Sequence, residues 1–160
     1  MMDVRHATFE EELALHGRFV FTNVGRSMMP LLRENRDLML IERRPTDEDG
    51  RPLRLNKYDA VLYKRGERYI LHRILKVLPE GYIICGDHNW RREYDIRDEQ
   101  IIGVMTAFVR DGTEIPVTDR RYLRYVHLWC DFYPLRVAIL FVTTLPGRIL
   151  RRLRRAMNHN

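Results

Sequence analysis

The apolar positions of this chain fall into short runs separated by turn signals, the spacing of a β domain rather than of long helices. Phe19-Val20-Phe21-Thr22 and Leu38-Met39-Leu40-Ile41 are two such runs. Four more follow at 59–64, 69–77, 81–85 and 101–110, with turn residues at Arg65-Gly66-Glu67, Pro79-Glu80-Gly81 and Asp111-Gly112 separating or closing them. Short strands joined by tight turns predict a mainly β domain with an antiparallel, barrel-like sheet. The polar stretch 42–56, which contains Pro45, Pro52 and Asp49-Gly50, reads as a loop or hairpin end. Ahead of the first strand, residues 8–16 predict a short helix: Thr8 can cap it, Glu10 to Glu12 favour its first turn, and Gly17 can stop it.

At 160 residues the chain has room for one domain with appendages. Its 45% hydrophobic and 31% charged residues suit a globular core rather than disorder. Cys85 and Cys130 are too few for a disulfide framework, and Cys85 lies in an apolar run where a buried thiol is expected.

The net charge of +6 is unevenly placed. Residues 120–160 hold nine arginines and one acid, whereas the first 119 residues hold 19 Lys/Arg against 21 Asp/Glu. The basic character therefore belongs to the tail, and the main domain does not read as a nucleic-acid surface. These shifts divide the chain into a helical segment at 1–17, a β domain at 18–118 and a basic, apolar helical tail at 119–160. In the tail, residues 137–145 carry no charge and 148–155 pack five arginines into eight positions. The uncharged stretch is shorter than the roughly 20 residues a bilayer span needs. Two uses of the tail are open: an interfacial helix with arginines on anionic lipid, or a helix docked on the β domain. The opening residues are too charged for a signal peptide's apolar core, which points to a cytoplasmic protein, peripheral on the inner membrane face if the tail binds lipid.

Candidate chemistry centres on Gly25-Arg26-Ser27-Met28-Met29-Pro30. Gly25 permits a tight backbone before Ser27, and Pro30 fixes the chain soon after it, so the Ser27 N–H can be left free to receive an oxyanion. A serine hydroxyl needs a base within reach. His72 alternates with Ile70 and Ile74 on one face of the 69–77 strand, and a neutral imidazole there can accept a proton. Local pattern alone does not decide the matter, because most serines beside glycine and proline are turn formers.

Read in order, the motifs resemble the signal peptidase I family and the wider S24/S26 serine peptidases that include LexA-like self-cleaving repressors. They are Gly25-x-Ser27-Met28-x-Pro30, Asp37-Leu38-Met39-Leu40, Asp59-Ala60-Val61-Leu62-Tyr63, the 69–77 strand, Gly86-Asp87-x-Asn89 and Ile101-Ile102-Gly103-Val104. The resemblance covers roughly residues 18–110, and it implies a peptidase β domain with Ser27 as nucleophile. His72-Arg73 stands where the bacterial housekeeping enzymes carry a lysine base, as in the endoplasmic-reticulum and archaeal type, so the resemblance makes His72 the general base ahead of Lys64 or Lys76. It offers Asp87 or Glu93 as the acid that orients the imidazole, with Asp95 a neighbour of the same chemistry. It also places Gly25, Met28, Met29 and Pro30 against an extended peptide with small side chains just before the scissile bond.

Several positions depart from the family pattern. His88 stands where asparagine is common, Arg36 where glycine is usual, and no N-terminal anchoring helix is apparent. Gly25 also lacks the hydroxyl that some relatives contribute to the oxyanion hole. A leader- or precursor-processing serine endopeptidase is the first expectation, and a catalytically inactive β module binding a peptide or protein partner at a membrane surface is the alternative. No metal site, cofactor or nucleic-acid partner is expected: no helical His-x-x-x-His pair, cysteine pair, Gly-rich phosphate loop or helix-turn-helix pattern is present.

Overall fold

Ala60-Val61-Leu62-Tyr63 is apolar at every position, so a strand there must be covered on both faces. The computed structural model, which describes residues 8–142, makes it the middle of the sheet. A short helix α1 (Phe9–His16) precedes β1 (Arg18–Thr22) and β2 (Leu38–Glu42). Then come β3 (Ala60–Arg65), β4 (Arg68–Leu78), β5 (Gly81–Cys85), β6 (Glu93–Ile96), β7 (Ile101–Arg110) and β8 (Thr113–Pro116). Two helices follow, α2 (Arg120–Asp131) and α3 (Tyr133–Val142), bent 90° from each other.

The strands lie in the order β1-β2-β7-β3-β4-β5-β6, with β8 hairpinned onto β7, and every pairing is antiparallel. The mainly β, antiparallel architecture matches the reading of the apolar runs, and all six anticipated strands form within a residue of their expected bounds. The sheet is not closed, so it is no complete barrel. β6 and β8 were not anticipated. Each is four residues long, and β6 (Glu-Tyr-Asp-Ile) carries two acids and has Asp95 at φ 61. They form because β5 and β7 offer edges to pair with, not because of their own pattern.

Each face of the sheet has its own core. Ala60 and Leu62 of β3 join Met39, Ile41, Leu71, Met105 and Phe108 on one side, where α1 supplies Leu13 and α2 supplies Tyr122, Val126 and Cys130. Val61 and Tyr63 join Ile74, Tyr82, Ile84 and Ile96 on the other. The helix ends follow ordinary capping chemistry. Thr8 and Glu11 form a reciprocal capping box on α1, and Asp119 accepts from the N–H groups of Arg121 and Tyr122 at the start of α2. Both cysteines are free and buried. Residues 1–7 and the arginine-rich stretch 148–155 lie outside the described residues.

The long β1–β2 connection is held at both ends. The Asn23 N–H donates to the Asp37 carbonyl at 3.0 Å and the Asn35 N–H donates to Asn23 at 2.8 Å. The buried Asp37 carboxylate receives the guanidinium groups of Arg33 at 2.7 Å and Arg110 at 2.8 Å. Burial of Asp37 acts to raise its pKa, but the hydrogen bonds from Arg33 and Arg110 outweigh it and hold the pKa below the ordinary 3.8. A carboxylate with a depressed folded-state pKa stabilises above the ordinary carboxylate range and loses that contribution as pH falls through it. Asp37→Asn should therefore cost about 2 kcal/mol at neutral pH. In urea denaturation at neutral pH and near pH ~3, the gap to the wild type should narrow in acid.

Candidate active site

The two-residue turn Gly66-Glu67 fixes the register of the β3–β4 hairpin, pairing Arg65 with Arg68 and hence Val61 with His72. Strand alternation then places Tyr63 diagonally from His72 on the same face. β6, paired to β5, brings Glu93 to that face. His72 Nδ1 lies 2.7 Å from Glu93 Oε1. The other carboxylate oxygen accepts from the Tyr63 hydroxyl at 2.8 Å and meets the Arg65 guanidinium at 2.8 Å. The Tyr63 oxygen is also 3.4 Å from His72 Nδ1. A carboxylate only accepts hydrogen bonds, so the contact assigns the neutral imidazole's proton to Nδ1 and leaves the Nε2 lone pair facing the opposite way.

On that opposite side stand Gly86, Asn89 and Ser27. Asn89 Nδ2 is 3.4 Å from His72 Nε2. The His88 N–H donates to the Ser27 carbonyl at 2.7 Å, pinning the serine turn to the 86–89 loop. A Cβ at position 86 would sit 2.6 Å from the Ser27 carbonyl oxygen, 2.8 Å from Asn89 Nδ2 and 2.9 Å from His72 Nε2. Only glycine leaves that gap open. Gly25, at φ 96, supplies the left-handed turn that leads into Ser27. Ser27 is half-buried, and among the described residues neither its hydroxyl nor its N–H enters a hydrogen bond. Among the described residues, then, no hydrogen bond joins Ser27 to His72.

The two carboxylates offered for the imidazole divide cleanly. Glu93 meets His72, whereas Asp87 is committed to Arg73 in an ion pair with both side chains 0% exposed. Arg73 Nε and Nη2 bond the two Asp87 oxygens at 2.9 and 2.7 Å, and Tyr125 donates to the same carboxylate at 3.0 Å. Asp87 orients the loop rather than the imidazole. Asp95 lies with Pro79 and Arg97 around a surface pocket at the β4–β5 turn. Lys64 pairs with Glu10 at 3.2 Å, and Lys76 is exposed. Met28 is 1% exposed and packs into the core, which corrects its expected place against a substrate; Met29 is half-buried and Pro30 is exposed beside Ser27. The sequence reading missed Tyr63 and Arg65, although the Gly66-Glu67 turn signal was enough to set the register that brings Tyr63 to His72. It also missed the linking role of Asn89 and His88, which no local pattern encodes.

Burial lowers the pKa of His72 below the ordinary 6.5; Glu93 opposes this but does not overcome it. His72 is therefore neutral at neutral pH, the form that can take a proton. Among the described residues no group of three His, Cys, Asp or Glu side chains converges to hold a metal ion. No family model, curated protein or solved structure matches the chain.

Two substitutions separate geometry from stability. Gly86→Ala puts a methyl group between Ser27 and His72 and should cost about 1–3 kcal/mol in thermal unfolding while disrupting the site's geometry. The accompanying change should appear in His72 imidazole NMR shifts. Asp87→Asn leaves Arg73 buried without its counter-charge and should cost about 3–5 kcal/mol, measured by denaturant unfolding.

Proposed function

We propose that this protein is a serine endopeptidase of the signal-peptidase-like type, its sheet being the S24/S26 peptidase fold in an open form. The observation that carries the reading is the arrangement about His72: a carboxylate at Nδ1, and Nε2 facing the gap that Ser27 borders. In the reaction Ser27 Oγ attacks the peptide carbonyl carbon and His72 Nε2 takes its proton. Glu93 stabilises the imidazolium that results, and the Ser27 N–H receives the oxyanion. The imidazolium then protonates the departing amine, and water hydrolyses the acyl-enzyme by the reverse proton path. Tyr63 and Arg65 act as positioning residues through Glu93. An extended peptide adding to a strand edge, with small residues before the scissile bond, is the substrate class the resemblance supports.

The open Ser27 hydroxyl favours a second reading, in which the same gap binds a peptide without cleaving it. A mixed peptide library with small residues at the expected position, analysed by mass spectrometry, separates the two. The wild type should cleave after small residues, and Ser27→Ala and His72→Ala should each lose at least about 10³-fold in kcat/KM while circular dichroism shows the fold retained. Peptides bound but never cut, or cleavage that survives either substitution, would leave the binding module as the answer.

The pH profile gives an independent check. Because the working base is neutral imidazole and burial lowers its pKa, kcat/KM should rise with pH through a midpoint below 6.5 and be level by neutrality. Glu93 raises the imidazole pKa more than Asp87 does, so Glu93→Gln should move that limb further to acid. It should also lower the plateau by about 10²–10⁴-fold. A limb that stays put on Glu93→Gln would separate this carboxylate from the imidazole.

A further inference from the structure

Residues 132–142 read Phe-Tyr-Pro-Leu-Arg-Val-Ala-Ile-Leu-Phe-Val, with Arg136 as the one charged residue. In a helix on the surface of a globular domain that arginine should face water and the aliphatic side chains should face the core. α3 departs from this, although Leu140 is buried. Arg136 is 1% exposed and its guanidinium turns inward to donate to the carbonyls of Gly86 and Asn89. Outward, Phe132 is 58%, Leu135 51% and Val142 67% exposed, and Leu128 at the end of α2 is 56% exposed. Arg120, Arg121 and Arg124 are exposed on α2, and in sequence five more arginines follow α3 at 148–155.

We infer that the α2–α3 elbow seats on an anionic bilayer surface, with the outer face of α3 in the headgroup–acyl boundary and the arginines on lipid phosphates. An apolar face with arginines on either side of it in sequence matches the chemistry of such a surface: aliphatic and aromatic groups below, cations above. The elbow lies on the membrane and does not span it. Among the described residues no single helix is long and apolar enough to cross a bilayer, and α2 and α3 are bent 90° apart. Straightening them would break the Asp131 contacts with Lys57 at 2.8 Å and with the Tyr58 hydroxyl at 2.7 Å, and would pull Tyr122, Val126 and Cys130 out of the core. The inference does not rest on the peptidase reading, because its test measures binding alone.

The full chain is sedimented with phosphatidylcholine vesicles, with and without phosphatidylglycerol. Binding should need the anionic lipid, weaken in high salt, and shift Trp fluorescence to the blue, since Trp90 accepts from Tyr133 at the start of α3. Leu135→Glu and Val142→Glu replace exposed residues, so the fold should survive, and each should weaken partitioning by roughly ten-fold or more. Circular dichroism confirms the fold of each variant, and Arg120→Glu with Arg121→Glu tests the charged flank without touching the apolar face. No binding to anionic vesicles overturns the inference. So does undiminished binding by both glutamate variants of α3, which would assign the attraction to arginines alone. A dimer in light scattering that Leu135→Glu dissociates, with no vesicle binding, would instead give the face to a second copy of the chain.

Discussion

The Arg73–Asp87 ion pair is the contact on which the rest of the site depends. Neither side chain is exposed, so each charge is tolerable only because the other is there, held by two parallel hydrogen bonds at 2.9 and 2.7 Å. The remaining contacts of these two residues go to the turn at Tyr58 and to α2. Arg73 Nη1 reaches the Tyr58 carbonyl and the Tyr122 hydroxyl, both at 2.9 Å. Tyr125 donates to the Asp87 carboxylate, and Trp129 Nε1 donates to its carbonyl at 2.7 Å. β4, the 86–89 loop and α2 are thereby fixed to one another. His72 precedes Arg73 on β4 and faces the other way, so anchoring the arginine on one side of the sheet sets the imidazole on the other. Gly86 and Asn89 flank Asp87 in the same manner.

A second balance acts at the imidazole itself. Burial and, more weakly, the Arg65 guanidinium disfavour the protonated ring, Glu93 and, more weakly, Asp87 favour it, and burial prevails. The resting state is then a neutral base whose cation is nevertheless provided for. Glu93 is kept in place from its far side by Tyr63 and Arg65, so its position does not depend on His72. Burial and then contact with the Glu93 carboxylate also push the Tyr63 hydroxyl's pKa upward, which keeps it a donor.

Arg136 links this region to the outer surface. A guanidinium drawn inward onto the Gly86 and Asn89 carbonyls removes the one charge from the exposed side of α3. The same contact therefore braces the loop beside His72 and leaves an apolar face outside. Among the described residues two of its nitrogens, Nε and Nη1, meet no hydrogen-bond partner, and the carbonyl contacts and the Tyr133 ring hold the guanidinium.

Much of this was legible from the chain. Local forces act over a few residues, so the run spacing, the turn residues, Thr8 and Gly17 predict the six main strands and the first helix. The Ser27 turn and His72, on a face with Ile70 and Ile74, could be singled out for the same reason. What needed the tertiary structure was every choice among chemically equal residues. Glu93 and Asp87 are both acids near a turn, and only the pairing of β6 with β5, against Arg73 buried on the opposite face, assigns one to the imidazole and the other to the ion pair. Met28 looked like a residue beside a nucleophile and is core, because the half-turn after Ser27 directs it inward. Arg136, the one charge between Phe132 and Val142, is buried, because carbonyls of a loop some fifty positions away in sequence meet it. Sequence determines local conformation and the set of groups available; which of them meet is decided by long-range packing, since contacts across the sheet have no signature in the order of the chain.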